Sequence, residues 1–599
     1  MSDSTYILRP SIDVSAYGNA VSGFAAIAQR LCNALAARVS RAQSGAVASS
    51  RVIAIECYPG TDYQELRDNL LPLLGPCATF CADDFAWDID RLQDRIKDTV
   101  TDDRIFGVMS HYHVEDFYDE RDIERARDLV GEALKASADG AVVVFGVGAS
   151  LIVPDALLVY SDLTRWEITL RFRAGMRNWK TDNEDEDPLR KIKRGYFFEW
   201  RMADRLKRSL HDRIDFLMET NVPGSPKMVD GEAYRVGLAS ASRRPFRLVP
   251  YFDESVWGGQ WMKERFNLDS SKPNYGWSFD GVPEENSIIL SFEGADVEIP
   301  AINMVLAQPD QLLGPKVRAR YGAEFPIRFD FLDTMGGGNL SLQVHPRTEY
   351  IQDAFGMPYT QDESYYILDA ADDSEVYLGV RGDTTKEALV EDLKVAAAGG
   401  APFPAEKHVN VFPVKKHDHV LIPAGTIHCS GSDTVVLEIS ATPYNFTFKL
   451  WDWGRLGLDG KPRPINIAHG EPNILMERDT EFCERELITR IDDPRENLSD
   501  QPGVVTERTG LHALESIETR RHWFDDQVVV DVHESVNMLN LVEGDEVEVQ
   551  SLDGSFAPMV VHYAETFIVP ESVGRYRIVN KSRGRRAAVL QAFIRNPSA

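Results

Sequence analysis

Residues 339–368 read NLSLQVHPRTEYIQDAFGMPYTQDESYYIL and place three polar side chains on two apolar segments. Gln343 and His345 alternate in LSLQVHP, so a β-strand would direct both side chains to the same face. Glu363 begins the next apolar run, ESYYIL. Burial of such groups costs free energy unless each of them finds a partner. Because a metal ion is one partner that satisfies all three, the stretch predicts a metal site on two buried β-strands.

A fourth candidate ligand follows in LIPAGTIHCSG, where His428 enters another β-run after a Pro-Ala-Gly turn. Gln343, His345, Glu363 and His428 together offer two nitrogens and two oxygens, a set that suits Zn²⁺ and accepts other divalent ions. The alternative for each residue taken singly is an ordinary polar side chain at a strand end, hydrogen-bonded to the backbone. Their combination within one β-rich region favours the metal.

The sequence around these residues has a pattern that is typical of an antiparallel β-protein. From about Phe246 the chain shows short β-runs separated by turns rich in Gly, Pro and Asp. That pattern predicts sandwiches or barrels. TTKEALVEDLKVAAAGG, at 384–400, has apolar residues at helical spacing and ends in two glycines. It predicts a helical insert.

The first 220 residues or so alternate apolar strands with amphipathic helices, which predicts a parallel α/β sheet. We expect strands at 51–58, 141–147 and 156–162 and a long helix at 198–220. The fold class is therefore multidomain, α/β followed by mainly β. The expected domains are an α/β domain at 1–225, a metal-binding β domain at 240–470 with its insert near 384–400, and a C-terminal β domain at 471–599.

Composition excludes several classes of partner. The chain has 599 residues, 65 basic and 94 acidic, for a formal net charge of −29. Such a surface repels phosphate backbones and anionic membranes, so we expect neither nucleic acid nor membrane as a partner.

Six irregularly spaced cysteines without a CxxC pair predict no disulfide framework. The apolar run at 141–160 contains Pro154 and Asp155, and reads as two strands around a turn rather than a membrane span. With no secretory signal, the predicted location is cytoplasmic. The oligomeric state stays open.

LSLQVHP, the strand-initial Glu363, and IPAGTIH followed by VVLEIS resemble the type I phosphomannose isomerases, zinc enzymes of the cupin fold. The resemblance covers about Arg247 to Ile594. It includes four further stretches: LVPYFDESVWGGQWMKERF (248–266), FPIRFDFLDT (325–334), KLWDWGRLG (449–457) and YAETFIVPESVGRYRI (563–578). It implies two cupin-type β-barrel or jelly-roll domains and interconversion of mannose 6-phosphate and fructose 6-phosphate through an enediol(ate). It also implies one Zn²⁺ per chain, held by Gln343, His345, Glu363 and His428.

Three positions depart from that family in the groups that would meet an anionic sugar phosphate. Gln361 stands where the family has a lysine two residues before the ligand glutamate, and Asp330 replaces another lysine. Lys449 falls on the position of the active-site arginine when one extra residue is allowed around Pro443. A flexible ammonium does not replace a planar guanidinium equivalently. Arg328, Arg347 or Arg455 could supply the charge, the alternative for each being a solvated surface arginine.

The predicted catalytic residues are Lys449, Glu438 and Arg455, with Ser341 and Lys449 against the substrate. Ser341 shares its face with Gln343, but a buried serine bonded to the backbone is equally compatible. Glu438 matches a family glutamate near the substrate, or serves as a structural partner of a neighbouring strand. His408 and His417 lie in a loop and strand region with no partner pattern, and we expect them to be ordinary residues. The competing function is a non-catalytic or substrate-shifted cupin that binds a sugar or sugar phosphate.

In the N-terminal region, a predicted strand leads through a loop into a helix in VIAIECYPGTDYQEL, which is where a phosphate-binding loop would lie. Its lysine position is Tyr63, its hydroxyl position is Gln64, and the carboxylate of Asp62 would repel a nucleotide phosphate. CADDFAWD, GAVVVFGVGASLI and VYSDLTRWEITLRFRAGMRNWK resemble uridine-kinase-like P-loop proteins in order and spacing. The resemblance implies a kinase-type fold that has lost its nucleotide site. We expect no nucleotide cofactor, which disfavours a bifunctional kinase–isomerase.

Overall fold

The computed structural model describes residues 5–41, 49–137, 139–442, 446–582 and 584–595. The chain divides into two compact units. One, here called the α/β unit, comprises Ser11–Ala241 and Ser287–Ala307. The other, here called the β unit, comprises Met1–Pro10, Ser242–Asn286 and Gln308–Ala599.

The α/β unit is built on a mixed sheet that is parallel for most of its width. Its strands, within the described residues, run in the order Ala20–Ser22, Lys227–Asp230, Phe216–Glu219, Leu157–Asp162, Val52–Cys57, Val142–Gly146 and Ala78–Cys81. Pairing among the last five strands is parallel, and the first two are joined antiparallel at the edge. The three central strands predicted from the sequence are buried along their whole length. Strands that are covered on both faces read as continuous apolar runs, which is how they were recognisable.

Helices and a small second sheet complete the α/β unit. The second sheet contains Ser11–Asp13, Ser287–Ser291 and Asp296–Pro300. The α-helices are Phe24–Arg41, Tyr63–Glu65, Leu71–Leu74, Ile89–Val100, Glu120–Ala136, Ala149–Ile152, Arg165–Arg173, Pro188–Arg194, Trp200–Leu210, Gly231–Ala241 and Ile302–Ala307. The π turns are Leu66–Leu70 and Gly195–Glu199, and the 3₁₀ turns are Ser15–Tyr17, Ser49–Arg51, Ala82–Phe85, Val114–Phe117 and His211–Arg213.

The helix predicted over 198–220 is wrong at its C-terminal end. Helical backbone stops after His211–Arg213, and Phe216–Glu219 forms a fully buried strand. This strand pairs in parallel with Leu157–Asp162. Burial in the centre of a sheet outweighed the helical spacing of these residues, because intrinsic propensity is weak against tertiary packing.

The β unit contains two pairs of antiparallel sheets. In the first pair, one sheet has the order Ile488–Thr489, His419–Ile422, Glu363–Ala370, Thr434–Ser440, Arg328–Asp333, Trp277–Gly281 and Tyr251–Asp253. The other has the order Val409–Pro413, Glu375–Val380, His428–Ser430, Leu342–Val344 and Phe448–Trp451. These two sheets, called below the seven-stranded and five-stranded sheets, carry the candidate metal ligands.

The second pair of sheets has an apolar interior. One sheet has the order Val504–Gly510, Ile517–Phe524, Ala587–Ile594, Asn537–Glu543 and Thr566–Val569, and the other Gln527–Asp531, Arg575–Asn580, Glu546–Ser551 and Met559–His562. Buried side chains such as Phe524, Phe567 and Ile578 pack into one hydrophobic cluster that draws on both sheets. This packing stabilises the pair, and the buried polar side chains of Asn537, Gln591 and His522 on the same strands hydrogen-bond to one another.

The predicted helical insert is present as Lys386–Ala397, and the hydroxyl of Thr385 accepts a hydrogen bond from Ala388 N at its start. The remaining α-helices of the β unit are Trp261–Arg265, Pro309–Leu313, Pro315–Tyr321, Thr348–Phe355, Ala405–His408, Ile467–Gly470 and Thr480–Phe482. Shorter turns are Glu471–Asn473, Cys483–Leu487 and Glu571–Val573. Across the described residues, no helix combines the length and the apolar character needed to cross a membrane.

Candidate metal centre

The strands of the β unit bring together the four side chains predicted as metal ligands, here called the metal centre (Gln343, His345, Glu363 and His428). Gln343 and His428 lie directly opposite each other on neighbouring strands of the five-stranded sheet. The side-chain amide nitrogen of Gln343 is 3.2 Å from His428 Nε2. Glu363 begins its strand in the seven-stranded sheet, and the ligand atoms of His345, Glu363 and His428 lie within 4.8 Å of one another.

Hydrogen bonds on the far side of each imidazole orient both rings. His345 Nδ1 is 2.9 Å from Phe446 O, and His428 Nδ1 is 2.9 Å from Thr426 O. Because a carbonyl oxygen only accepts, each Nδ1 carries a proton and donates. Both Nε2 atoms therefore face the centre, which is how a histidine is presented to a metal.

The carboxylate oxygens of Glu363 and the Nε2 atoms of the two histidines face one another at the middle of the metal centre. Glu363 Oε2 is 2.6 Å from His345 Nε2, and Glu363 Oε1 is 3.5 Å from His428 Nε2. Burial alone raises the pKa of Glu363, but the two histidines outweigh burial and hold it below its ordinary value. An ionised carboxylate beside two ring nitrogens in a buried site needs a neutralising positive charge, either a proton on a ring nitrogen or a cation. A divalent cation supplies that charge, so the donor set fits a metal.

Gln361 holds two parts of the metal centre in place. Its side-chain amide nitrogen donates to Glu363 Oε2 at 3.0 Å and to Ser440 Oγ at 3.1 Å. Its amide oxygen accepts from Phe446 N at 2.8 Å, in the residue whose carbonyl orients His345. In the sequence, Gln361 stands out only because the resembled family has a lysine at this position. Its bridging role depends on strands that meet in the fold and has no local signal.

A row of acidic side chains lies beside Glu363 on the seven-stranded sheet. Asp330, Glu438 and Tyr365 are partners across three adjacent strands, so they share one face. Burial, followed by the charges of Glu363 and Asp330, raises the pKa of Glu438 well above its ordinary value. Burial raises the pKa of Asp330 to about 7, although Arg328 opposes the shift. Asp330 is therefore able to hold a proton near neutral pH, and the pKa of Glu438 is shifted in the same direction.

Arg328 is buried in the sheet, and the alternative of a solvated surface arginine is wrong. Its Nη2 donates to Asp330 Oδ2 at 3.2 Å, and its Nη1 lies 3.4 Å from Glu285 Oε1. It thus neutralises the charge of Asp330.

Lys449 lies next to the metal centre, directly opposite Gln343 in the five-stranded sheet. Burial and the nearby Arg463 lower the pKa of Lys449 to about 8, with Asp452 acting in the opposite direction. Arg455 pairs with Asp452 Oδ1 at 2.5 Å, and Arg463 pairs with Asp452 Oδ2. Arg463 and Asp452 were not found from the sequence, because only a hairpin that pairs Leu456 with Pro462 brings Arg463 back.

The remaining residues that the sequence analysis singled out differ in their surroundings. The hydroxyl of Ser341 is buried and has no hydrogen-bond partner among the described residues. Arg347 precedes the helix Thr348–Phe355, and its backbone N–H donates to Asn473. Pro443, around which the alignment of Lys449 was adjusted, lies outside the described residues.

His408 and His417, for which the sequence shows no partner pattern, each contact side chains of other elements. His408 contacts the Thr384 hydroxyl at 2.6 Å and Asp392 at 2.7 Å. His417 contacts the Tyr366 hydroxyl at 2.9 Å and Glu543 at 3.3 Å. These partners come from other elements of the β unit, so no pattern within either loop could reveal them.

In the α/β unit, the loop after Val52–Cys57 binds its own carboxylate. Asp62 accepts hydrogen bonds from the backbone N–H groups of Gln64 and Glu65, at 2.8 and 3.2 Å. The Tyr63 hydroxyl donates to Asp83 at 3.3 Å. The backbone N–H groups at this helix start are those that a phosphate-binding loop offers to an anion. Here Asp62 takes that position.

Comparison with known proteins finds a family model and similar curated proteins. A family model described as "Domain of unknown function (DUF8485)" matches residues 23–243. The chain is 26% identical over 226 residues to "Probable mannose-6-phosphate isomerase GmuF" of Bacillus subtilis (strain 168), covering 37% of this chain and 66% of that protein. It is 25% identical over 226 residues to "Mannose-6-phosphate isomerase ManA" of the same organism, covering 37% and 65%. The match thus spans just under two thirds of these curated relatives.

Similar solved structures include two that are named mannose 6-phosphate isomerase. The "Mannose 6-Phosphate Isomerase from Bacillus subtilis" is 18% identical with a TM-score of 0.47, covering 59% of this chain and 100% of that one. A "mannose 6-phosphate isomerase bound with zinc and yttrium" is 14% identical with a TM-score of 0.42, covering 59% and 100%. The family matched by the α/β unit carries no functional description, so the kinase-like resemblance stays a prediction. Part of this chain is similar in sequence to proteins named mannose-6-phosphate isomerases.

Proposed function

We propose that this protein is a metal-dependent aldose–ketose isomerase that interconverts mannose 6-phosphate and fructose 6-phosphate. The observation that carries the proposal is the buried convergence of the His345, Glu363 and His428 ligand atoms within 4.8 Å. The sequence similarity to proteins named mannose-6-phosphate isomerase supports the choice of reaction.

Gln343, His345, Glu363 and His428 would hold one Zn²⁺. A neutral amide, two neutral imidazoles and one carboxylate leave such an ion with a net charge near +1, so it stays electrophilic. When bound, the metal would supply positive charge that stabilises the oxyanion of an enediol(ate). The buried, oriented Nε2 atoms and the ionised Glu363 are what this chain contributes to binding it.

Glu438 is the proposed proton-transfer group. The isomerisation moves a proton between C1 and C2 of the sugar, and burial raises the pKa of Glu438 well above its ordinary value, which suits a carboxyl group that takes up and returns a proton. Ser440 Oγ donates to Glu438 Oε1 at 3.0 Å and fixes the orientation of the carboxyl group. The unpartnered, buried hydroxyl of Ser341 is proposed to bind a sugar hydroxyl.

Lys449 and Arg455 are proposed to receive the phosphate of the substrate. Lys449 is placed beside Gln343, and it stays mainly charged at pH 7 because its pKa remains near 8. Charge-assisted contacts to a phosphate are stronger than neutral hydrogen bonds. This assignment gives the substrate a direction, with its carbonyl end toward the metal centre and its phosphate toward the loop after Trp451.

A second candidate function is a cupin that binds a sugar or sugar phosphate without isomerising it. It is favoured by Gln361 and Asp330, because neither provides the positive charge found at those positions in the family. Gln361 is engaged with Glu363, and Asp330 with Arg328. The two candidates share the metal centre and differ in turnover.

A coupled assay of the purified protein on mannose 6-phosphate, with and without a chelator, separates the candidates. We expect turnover that a chelator abolishes and zinc restores. Elemental analysis should find close to one equivalent of divalent metal. His345→Ala and His428→Ala should each lose the metal, whereas His111→Ala, an exposed histidine of the α/β unit, should keep it. A metal-loaded wild type that binds but never converts mannose 6-phosphate identifies the non-catalytic function.

A further inference from the structure

We infer that Arg463, held by Asp452 opposite Arg455, is a binding residue for a phosphate monoester dianion and completes the phosphate end of the site. The inference rests on the proposed function and adds a residue that the sequence did not indicate. Asp452 is 2% exposed and pairs with both guanidinium groups. The carboxylate therefore fixes two arginines side by side.

The loop that carries these arginines packs against the strand of the metal centre. After the strand Phe448–Trp451, the Trp453 indole N–H donates to Leu340 O at 2.8 Å. Leu340 directly precedes Ser341, in the segment that leads into Leu342–Val344. The bridge between Leu456 and Pro462 then closes a hairpin and returns the chain to Arg463. Lys449, Arg455 and Arg463 thereby lie around the same end of the site.

The net charge of the side chains at the phosphate end of the site is opposite in sign to the net charge of the whole chain. Lys449, Arg455 and Arg463 against Asp452 give a net charge of +2 when all are ionised, in a protein whose formal net charge is −29. A phosphate monoester carries about −1.5 to −2 charges near pH 7. Lys449 and Arg463 carry charges of the same sign and interact electrostatically, so they repel each other. A bound dianion would relieve this repulsion.

The guanidinium groups retain unused donors. Each arginine has five N–H groups. Among the described hydrogen bonds, Arg455 uses Nε and Nη2, both toward Asp452. Its Nη1 lies 3.3 Å from the point where a Cβ at residue 338 would stand, so Gly338 keeps that space free of a side chain. Two guanidinium forks with free N–H groups match the geometry of a phosphate.

The neighbouring glycine-rich loop does not supply the donors. The backbone N–H groups of Gly336, Gly337 and Gly338 donate to Asp433, Thr334 and Trp257. Because these amides are already engaged, the phosphate has to be bound by side chains. This observation separates the site from a phosphate-binding loop built on backbone amides.

The test compares Arg463→Met and Arg463→Lys with Arg485→Met, an exposed arginine that pairs only with Glu481 and Glu486 among the described residues. For Arg463→Met we expect KM for mannose 6-phosphate to rise about 10- to 100-fold, the range of a lost hydrogen bond between charged groups. Metal content and melting temperature should stay near wild type. Inorganic phosphate should inhibit wild type competitively, inhibit Arg463→Lys more weakly, and lose its effect on Arg463→Met. Arg485→Met should behave as wild type.

Calorimetry with inorganic phosphate and mannose 6-phosphate distinguishes failure of this inference from failure of the proposed function. If wild type binds both anions without turnover and Arg463→Met binds neither, the phosphate site stands and the isomerase function does not. If wild type turns over and Arg463→Met keeps its KM and its inhibition by phosphate, the inference is overturned and the function stands. If wild type binds neither anion, the inference is overturned as well.

Discussion

At the scale of single residues, the least expected role belongs to Gln361. An amide donates and accepts at the same time, whereas a lysine only donates. Gln361 uses both capacities, because it donates to Glu363 and Ser440 and accepts from the backbone N–H of Phe446. Its neutral side chain therefore ties the ligand carboxylate to the segment that orients His345.

The first prediction follows from that bridge. Gln361→Ala should weaken metal binding about 10- to 100-fold, as loss of an orienting partner of a metal ligand does. Competition with a chelator of known affinity measures the effect. Gln352→Ala is the matched control, since Gln352 is exposed and its amide contacts only Pro358 O among the described residues. Equal metal retention by both variants would contradict a role for Gln361 in the metal centre.

At the scale of elements, strand periodicity predicted that the candidate ligand side chains meet, whereas contacts formed by loops could not be predicted from the sequence. Q-x-H on one strand places both side chains on one face, and that geometry depends only on the period of a β-strand. The ion pairs of Asp452 depend on a hairpin, and the bridge through Gln361 depends on three separate segments. The strand Phe216–Glu219 was missed for a different reason, because a buried sheet position overrode its local spacing.

The second prediction concerns the start of the helix Tyr63–Glu65. Asp62 accepts from two backbone N–H groups there, so its carboxylate satisfies the donors that a nucleotide phosphate would need. Millimolar Mg-ATP should therefore leave the melting temperature unchanged, because a ligand stabilises only a native state that it binds. Zinc added to chelator-treated protein is the positive control for the assay. A rise of several degrees with Mg-ATP would restore the bifunctional kinase–isomerase as a candidate.

At the scale of the whole molecule, buried carboxyl groups make stability depend on pH. In the α/β unit, burial raises the pKa of Glu56 from 4.5 to about 7, against hydrogen bonds from Ser150 and Gly148 that lower it. Burial likewise raises the pKa of Asp83 from 3.8 to about 6. Below about pH 7 the folded unit binds more protons than the unfolded chain, so its stability rises as pH falls toward 4.5.

The third prediction concerns how steeply the free energy of unfolding changes with pH. From Glu56 alone, the free energy of unfolding should increase on the order of 3 kcal/mol between pH 8 and pH 5. Urea unfolding of the full chain at pH 8, 7, 6 and 5 measures it. Glu56→Gln should flatten the slope, and Glu124→Gln, an exposed helix residue, should not. An unchanged slope in Glu56→Gln would show that this carboxyl is not the titrating group.

The pairing of Ser11–Asp13 with Ser287–Ser291 has a consequence for how the protein is made. The two strands are parallel partners within the α/β unit, with Ser11 opposite Ile289. A ribosome that adds roughly 5–20 residues per second delivers the second strand on the order of 15–60 s after the first. During that interval the nascent α/β unit has an unpaired strand, so its completion waits for translation of a segment that lies beyond Ser242–Asn286 of the β unit.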